Sequence, residues 1–164
     1  MVTLDGVDLR ILDCLQNNAS QSLAEIAPQV HLSQNACWNR IRRLEESGVI
    51  RKRVAILDAS KVGVGLTVFV MVRAAEHSAA WLDAFAPVVR AMPEVLEFYR
   101  TSGDVDYLIK LQVADVARYD ELYKALIRSA RCADVSAVFS MEEIKHTTAV
   151  PLPGQTGARD TPRS

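Results

Sequence analysis

The sequence predicts an α+β chain of two domains, an N-terminal helix-turn-helix domain of winged-helix type and a C-terminal ferredoxin-like βαββαβ domain. Three observations carry this prediction. Two capped amphipathic helices stand a few residues apart inside the first fifty residues. Beyond a glycine-bearing connector, 58–65 (DASKVGVG), the apolar period changes from helical to alternating. The elements that follow run strand, helix, strand, strand, helix, strand, the split unit of a four-stranded sheet. The predicted boundaries are 1–57 for the helix-turn-helix domain, 58–65 for a linker, 66–150 for the βαββαβ domain and 151–164 for a tail.

Asp5 and Asp8 form a carboxylate capping box at the head of the first helix, where negative charge also suits the helix dipole. Val7, Ile11, Leu12 and Leu15 give that helix its apolar stripe, and Asn17-Asn18 end it. Ser22 and Glu25 form a second capping box, with Leu23, Ile26, Ala27 and Val30 inward. Pro28 keeps this helix short, because an interior proline removes a backbone bond at a cost of about 3 kcal/mol.

Ser33 caps the third helix and Gly48 stops it in the left-handed region. Cys37, Ile41 and Leu44 recur on its buried side. Gln34, Asn35, Trp38, Asn39 and Arg42 share another face, and Asn, Gln and Arg are the side chains able to bridge two atoms of one base edge. Residues 51–57 read as a short strand that begins basic. Between Ser33 and Arg53 six basic residues (Arg40, Arg42, Arg43, Arg51, Lys52, Arg53) face two acidic ones, a local charge of +4, whereas the chain from Val54 onward is −2. A basic patch on an otherwise slightly acidic chain is the footprint of a nucleic-acid surface beside an unrelated second domain. Arg42 is expected to face bases, and Arg40 and Arg43 to face phosphates.

In the second domain, 66–73 is a β-branched strand, and 78–92 a helix with Trp81, Leu82, Phe85, Val88 and Val89 on one side and Pro93 as its stop. Strands at 95–101 and 107–113 flank a tight turn, Ser102-Gly103-Asp104-Val105-Asp106. A helix over 119–127 and a last strand over 135–144 complete the unit. One face of such a sheet is uncovered, and a face rich in Val, Phe and Leu predicts a homo-oligomer. The stretch 151–164 (PLPGQTGARDTPRS) is Pro, Gly and Thr rich and reads as disordered.

With 49% hydrophobic and 24% charged residues the composition is that of a soluble globular protein. Cys14, Cys37 and Cys132 are isolated from one another and read as small apolar residues in a reducing compartment. No signal peptide or membrane span is visible, so a cytoplasmic location without membrane contact is expected. His31, His77 and His146 share no ligand spacing, so neither a metal nor a cofactor is expected. No Ser-His-Asp set or phosphate-cradling loop can be assembled, which argues against an enzyme.

LDGVDLRIL (4–12), SLAEIA (22–27), LSQNACWNRIRRLEESGVI (32–50), TSGDVDYLIKLQV (101–113) and SMEEIK (140–145) resemble the leucine-responsive regulatory protein/asparagine-synthesis regulator (Lrp/AsnC) family of transcription factors. The resemblance implies a homodimer, often a ring of four dimers, that binds double-stranded DNA through its N-terminal domains and an amino acid at its C-terminal domains. It places the effector by Ser102, Gly103, Asp104, Val105 and Asp106, with Phe139 and Ser140, near a neighbouring subunit's sheet. Gly103 permits close backbone approach, neighbouring N–H groups can receive a carboxylate, and Asp104 or Asp106 can meet an ammonium. On turn chemistry alone both aspartates are turn formers.

Two positions depart from the family pattern: Ala130-Arg131 where Pro-Gly is usual before the last strand, and Arg51-Lys52 where Gly is common. CWNRIRRLEESGVI and GVGLTVFV are most similar to a subgroup associated with cysteine-responsive control of sulfur amino-acid breakdown. The competing reading is an amino-acid sensor that acts through a protein partner, for which the second domain alone would suffice. The basic run Arg51 to Arg53 has no use in such a sensor.

Overall fold

The structure, a computed structural model, describes residues 3–129 and 132–154. These form two compact units, one comprising the described residues up to Ala55 together with those from Lys145 onward, the other Ile56–Ile144. The stretch 58–65 therefore belongs to the second unit, and 145–150 to the first.

Three helices build the first unit. The helix α1, Gly6–Asn17, starts at Asp5, whose Oδ1 accepts the N–H groups of Val7 at 2.9 Å and Asp8 at 2.8 Å. Asp8 reciprocates by accepting the Asp5 N–H at 3.1 Å, completing the capping box. The helix α2, Leu23–Gln29, opens where the Glu25 carboxylate accepts both the N–H of Ser22 (2.7 Å) and its hydroxyl (2.8 Å). Pro28 falls in its last turn, and the chain leaves through His31, whose φ of 57° is left-handed. The helix α3, Gln34–Glu46, is capped by Ser33, which accepts the Ala36 N–H at 3.2 Å. Gly48 follows at φ 75°, a conformation that costs a side-chain-bearing residue about 1–2 kcal/mol. Ile11, Leu15, Ile26, Ala27, Val30, Cys37, Ile41 and Leu44 form one shared core.

Residues 51–57 form no strand, contrary to the sequence expectation. A strand exists only as part of a ladder, and no described strand pairs with this segment. Val54, Ile56 and Leu57 are exposed there. The linker residues instead make a hydrogen-bonded turn headed by Asp58, and Gln112 Nε2 pins it to the sheet by donating to the Val64 carbonyl at 2.5 Å.

In the second unit, β1 (Leu66–Ala74), α4 (Ala79–Ala91), β2 (Val95–Arg100), β3 (Tyr107–Val113), α5 (Val116–Ser129) and β4 (Cys132–Phe139) follow in order. The sheet is antiparallel with order β2-β3-β1-β4, the ferredoxin-like arrangement. Alternation along β1 and β3 sends Val68, Val70, Val72, Ile109 and Leu111 into a core with Trp81, Phe85, Val89 and Leu126 from the helices. The last strand starts and stops earlier than the expected 135–144, because its register against β1 runs only from Ala74 down to Val68. The last helix starts earlier than expected because Asp115 caps it, accepting the Arg118 N–H at 2.8 Å. Ala130-Arg131, and the expected tail beyond Gly154, lie outside the described residues.

Candidate nucleic-acid interface and effector turn

The helix α3 presents two chemically different sides. Cys37, Ile41 and Leu44 are buried, while Gln34, Asn35, Trp38, Asn39 and Arg42 are exposed. At 100° per residue, Asn35, Asn39 and Arg42 project away from the core on one face, with Trp38 at its border and Gln34 beyond it. Trp38, expected on the polar face, is 47% exposed. The Arg42 guanidinium lies 5.5 Å from the Trp38 ring centroid, and its Nε donates to Glu46 at 2.7 Å. Both members of that ion pair are well exposed, so the pair contributes only ~0.2–1 kcal/mol and is readily exchanged.

Arg40 and Arg43 are placed differently from the expectation of free phosphate contacts. Arg40 Nη1 donates to Asp5 at 2.6 Å and to Asp8 at 2.9 Å, and Arg43 Nη2 donates to Asp8 at 2.5 Å. The side chain of Asp8 is 1% exposed and that of Asp5 about half exposed. The Arg40 hydrogen bond, joined by backbone N–H donors, pulls the Asp5 carboxyl down to about 2. Burial pushes the Asp8 carboxyl up, but the Asp5 N–H and the two guanidinium groups outweigh it and leave Asp8 below its ordinary value. The link from α1 acids to α3 arginines does not show in the sequence, where the acids read only as caps. Arg53 meets Glu45 at 2.8 Å, and Arg51 and Lys52 are exposed.

The turn Ser102 to Asp106 is held from both sides. Thr101 donates its N–H to the Asp106 carbonyl at 2.8 Å and its hydroxyl to the Val105 carbonyl at 2.6 Å. Asp106 donates its N–H to the Val72 carbonyl at 3.0 Å, its Oδ2 accepts the Ala74 N–H at 2.9 Å, and its Oδ1 stands 3.0 Å from His77 Nε2. Arg73 Nε donates to the Asp104 carbonyl at 2.6 Å. Asp106 is thus committed to the fold, whereas the side chains of Ser102 and Asp104 are exposed and Gly103 takes φ 123°. A cavity of about 200 Å³ opens beside the turn, lined among others by His77, Ser78, Leu82, Arg100, Asp106 and Tyr107. Sequence reasoning singles out neither Arg73 nor Arg100, which carry no local motif.

Phe139 and Ser140 are not brought to the turn within one subunit. Ser140 donates its N–H to the Thr67 carbonyl, at the opposite end of β1 from Val72. At ~3.3 Å per residue the two ends are roughly 16 Å apart. The Phe139 ring packs edge-on against Tyr119, with centroids 5.2 Å apart.

The cysteines follow their expected packing role: Cys37 is buried, Cys14 and Cys132 partly so, and burial pushes all three thiols up, away from reactive thiolate. Among the described residues no group of His, Cys, Asp or Glu is arranged to hold a metal ion, and no helix is long and apolar enough to cross a membrane.

A family model described as the AsnC-type helix-turn-helix domain matches residues 4–45, and one described as the Lrp/AsnC ligand binding domain matches 67–150. The glutamate uptake regulatory protein of Zymomonas mobilis is 56% identical over 150 residues, covering 92% of both chains. The DNA-binding transcriptional activator DecR of Escherichia coli is 45% identical, covering 91% of this chain and 99% of that one. An AsnC family transcriptional regulator from Agrobacterium tumefaciens superimposes with a TM-score of 0.86 at 50% identity, covering 90% and 97%. A Neisseria meningitidis transcriptional regulator, solved as an L-Met complex, gives 0.86 at 33% identity, covering 92% and 98%. Both halves of the chain, and the order in which they are joined, make it a member of the Lrp/AsnC family of transcriptional regulators.

Proposed function

We propose that this DNA-binding regulator inserts α3 into the major groove and reads base edges with Asn35, Asn39 and Arg42. The observation that carries the assignment is the exposure of these three side chains together on the face opposite Cys37, Ile41 and Leu44. Asn pairs in bidentate fashion with adenine and Arg with guanine, each worth about 1–3 kcal/mol of discrimination. Ser33, Gln34, Arg51, Lys52 and Arg53 follow the phosphates on either side, and Trp38 packs against the sugar or a thymine methyl.

The sheet face turned away from α4 and α5 carries Phe69, Met71, Leu108, Tyr99 and Val138 by register, and it supports a homodimer built on that face. A dimer delivers two α3 helices to half-sites about one helical turn apart, roughly 10 bp. Higher assemblies such as an octamer would bend the DNA around them. The protein would act in the cytoplasm.

An α-amino acid is the effector class that suits the turn: backbone N–H groups at Gly103 for its carboxylate, and Asp104, exposed and free of the structural duties of Asp106, for its ammonium. Phe139 and Ser140 would come from a neighbouring copy. The names of the similar proteins speak of glutamate uptake and of L-Met, and the motif likeness of the third helix is to a cysteine-responsive subgroup. A thermal-shift panel of the twenty amino acids, cysteine, glutamate and methionine included, tests this: the effector raises the melting temperature by mass action. A flat response to every amino acid rejects the class.

A further inference from the structure

Asp8 is the charged residue that is buried among the described residues, and it is buried in the half of the molecule that binds DNA. An ionised carboxylate taken from water is costly unless paired and hydrogen-bonded. Here Oδ1 accepts from Arg40 at 2.9 Å, while Oδ2 accepts from Arg43 at 2.5 Å and from the Asp5 N–H at 3.1 Å. Asp5 adds a second acceptor to Arg40 at 2.6 Å. The two arginines are one turn apart on α3, on the side facing α1, flanking the exposed face that carries Asn39 and Arg42. Two acids therefore take up two guanidinium groups that would otherwise lie beside a DNA backbone.

We propose that Asp5 and Asp8 are specificity-determining positioning residues for DNA recognition. Resting on α3 as the helix that enters the groove, the proposal gives the acids two effects. They fix the roll of α3 about its axis, because Arg40 and Arg43 are tied at two points of α1. They also act as resident substitutes for phosphate, so that Arg40 and Arg43 add little sequence-independent attraction and binding depends on the base-reading face. A recognition helix with every arginine free would bind any duplex more tightly and discriminate less.

The roles can be separated because Asn is about as good an N-cap as Asp. Asp5→Asn keeps acceptors for the Val7 and Asp8 N–H groups and removes one of the two carboxylate charges that hold Arg40, the exposed one, while Asp8 stays in place. The experiment measures affinity of the full chain for a random-sequence duplex and for a duplex enriched by the wild-type protein from a randomised pool, between 50 and 200 mM salt. Each additional phosphate that the protein neutralises steepens the loss of affinity over that range by about 3.5-fold. For Asp5→Asn we expect that steepening, tighter binding of the random duplex, and an enriched-to-random affinity ratio at least threefold lower. Combining Asp5→Asn with Arg40→Gln should return the salt dependence to that of the wild type, since Arg40 is the group released. An unchanged salt dependence in Asp5→Asn, with both affinities shifted in parallel, overturns the proposal and leaves the acids as fold-stabilising only. So does a steepening that persists in the double variant. Failure of α3 as the recognition helix would show separately, as an Arg42→Ala variant that binds both duplexes like the wild type.

Discussion

The guanidinium of Arg42 lies 5.5 Å from the centroid of the Trp38 ring one helical turn before it, on a face of α3 where that indole is nearly half open to solvent. A cation over an exposed indole gains about 0.5–1 kcal/mol, enough to bias where the guanidinium points before any ligand arrives. Arg42→Ala should weaken binding to an enriched duplex by about 1–3 kcal/mol and relax the preference at one base position. Trp38→Ala should cost less, and the double-mutant cycle should show a coupling of at least ~0.5 kcal/mol. Fluorescence anisotropy on the four single-base variants of the duplex reads both effects.

Glu46 shares Arg42 with the indole at 2.7 Å and faces the same solvent. Replacing it by Gln removes a negative charge from the surface proposed to meet DNA and releases Arg42. Affinity should rise on every duplex, with a melting temperature within a degree or two of the wild type, since such a pair contributes well under 1 kcal/mol. A drop in affinity would mean that Glu46 aims Arg42 in the bound state.

Asp8 governs stability in a way its exposed counterparts do not. Asp8→Ala leaves Arg40, Arg43 and the Asp5 N–H without their shared acceptor and should cost about 1–3 kcal/mol in urea unfolding of the first unit. The carboxyls of Asp5 and Asp8 titrate below their ordinary values in the folded chain. Such groups add stability above the ordinary value of 3.8 and lose it as pH falls through the folded value, about 2 for Asp5. Stability should therefore fall on acidification below about pH 5 and keep falling to about pH 2. Asp5→Asn should flatten that fall, which calorimetry across pH 2–7 would register.

The turn proposed to bind the effector, Ser102 to Asp106, separates two aspartates by role. Asp106→Ala strips acceptors from the Ala74 N–H and from His77, and should destabilise the second unit by about 1–3 kcal/mol. Asp104→Asn should leave unfolding unchanged and weaken the thermal shift produced by the effector. Gly103→Ala, at φ 123°, should strain the turn by about 1–2 kcal/mol. If Asp104→Asn responds to every amino acid like the wild type, the ammonium is held elsewhere.

The homodimer proposed for the open sheet face should break when a charge is placed on that face. Phe69 pairs with Val138 and Met71 with Leu108 at its centre. Phe69→Lys should yield a monomer in analytical ultracentrifugation, with far weaker DNA binding because one half-site is engaged at a time. An intact oligomer would move the interface to another surface.

What could be read from the sequence was what local chemistry dictates. Asp5 and Ser33 cap where their side chains can reach the backbone, Glu25 reaches back to Ser22, Gly48 sits in the left-handed region, and 107–113 is a strand because its alternation is unbroken. What escaped depends on residues far apart in the chain. The segment 51–57 has strand composition but no ladder, and β4 ends at Phe139, the last residue in register with β1, with one further bond from Ser140 to Thr67. Arg40 and Arg43 looked like phosphate ligands because Asp8 lies 32 and 35 residues away. Asp115, by contrast, was a local signal, an N-cap three residues before Arg118 that the periodicity alone did not use. The division of labour between Asp104 and Asp106 is likewise visible only once β1 supplies Ala74 and the segment after it supplies His77.

After β4 the chain rejoins the first unit, where Val150 donates its N–H to Gln16 at 3.1 Å. The two units are therefore joined by two covalent crossings, near Ala55 and near Ile144, rather than by a single swivel. The segment that closes the chain is thus part of the first unit's own fold, although the whole of the second unit precedes it in sequence. Severing the chain beyond Ile144 would remove none of the three helices of the DNA-binding unit, yet it would strip that unit of a strap that only the far end of the chain can supply.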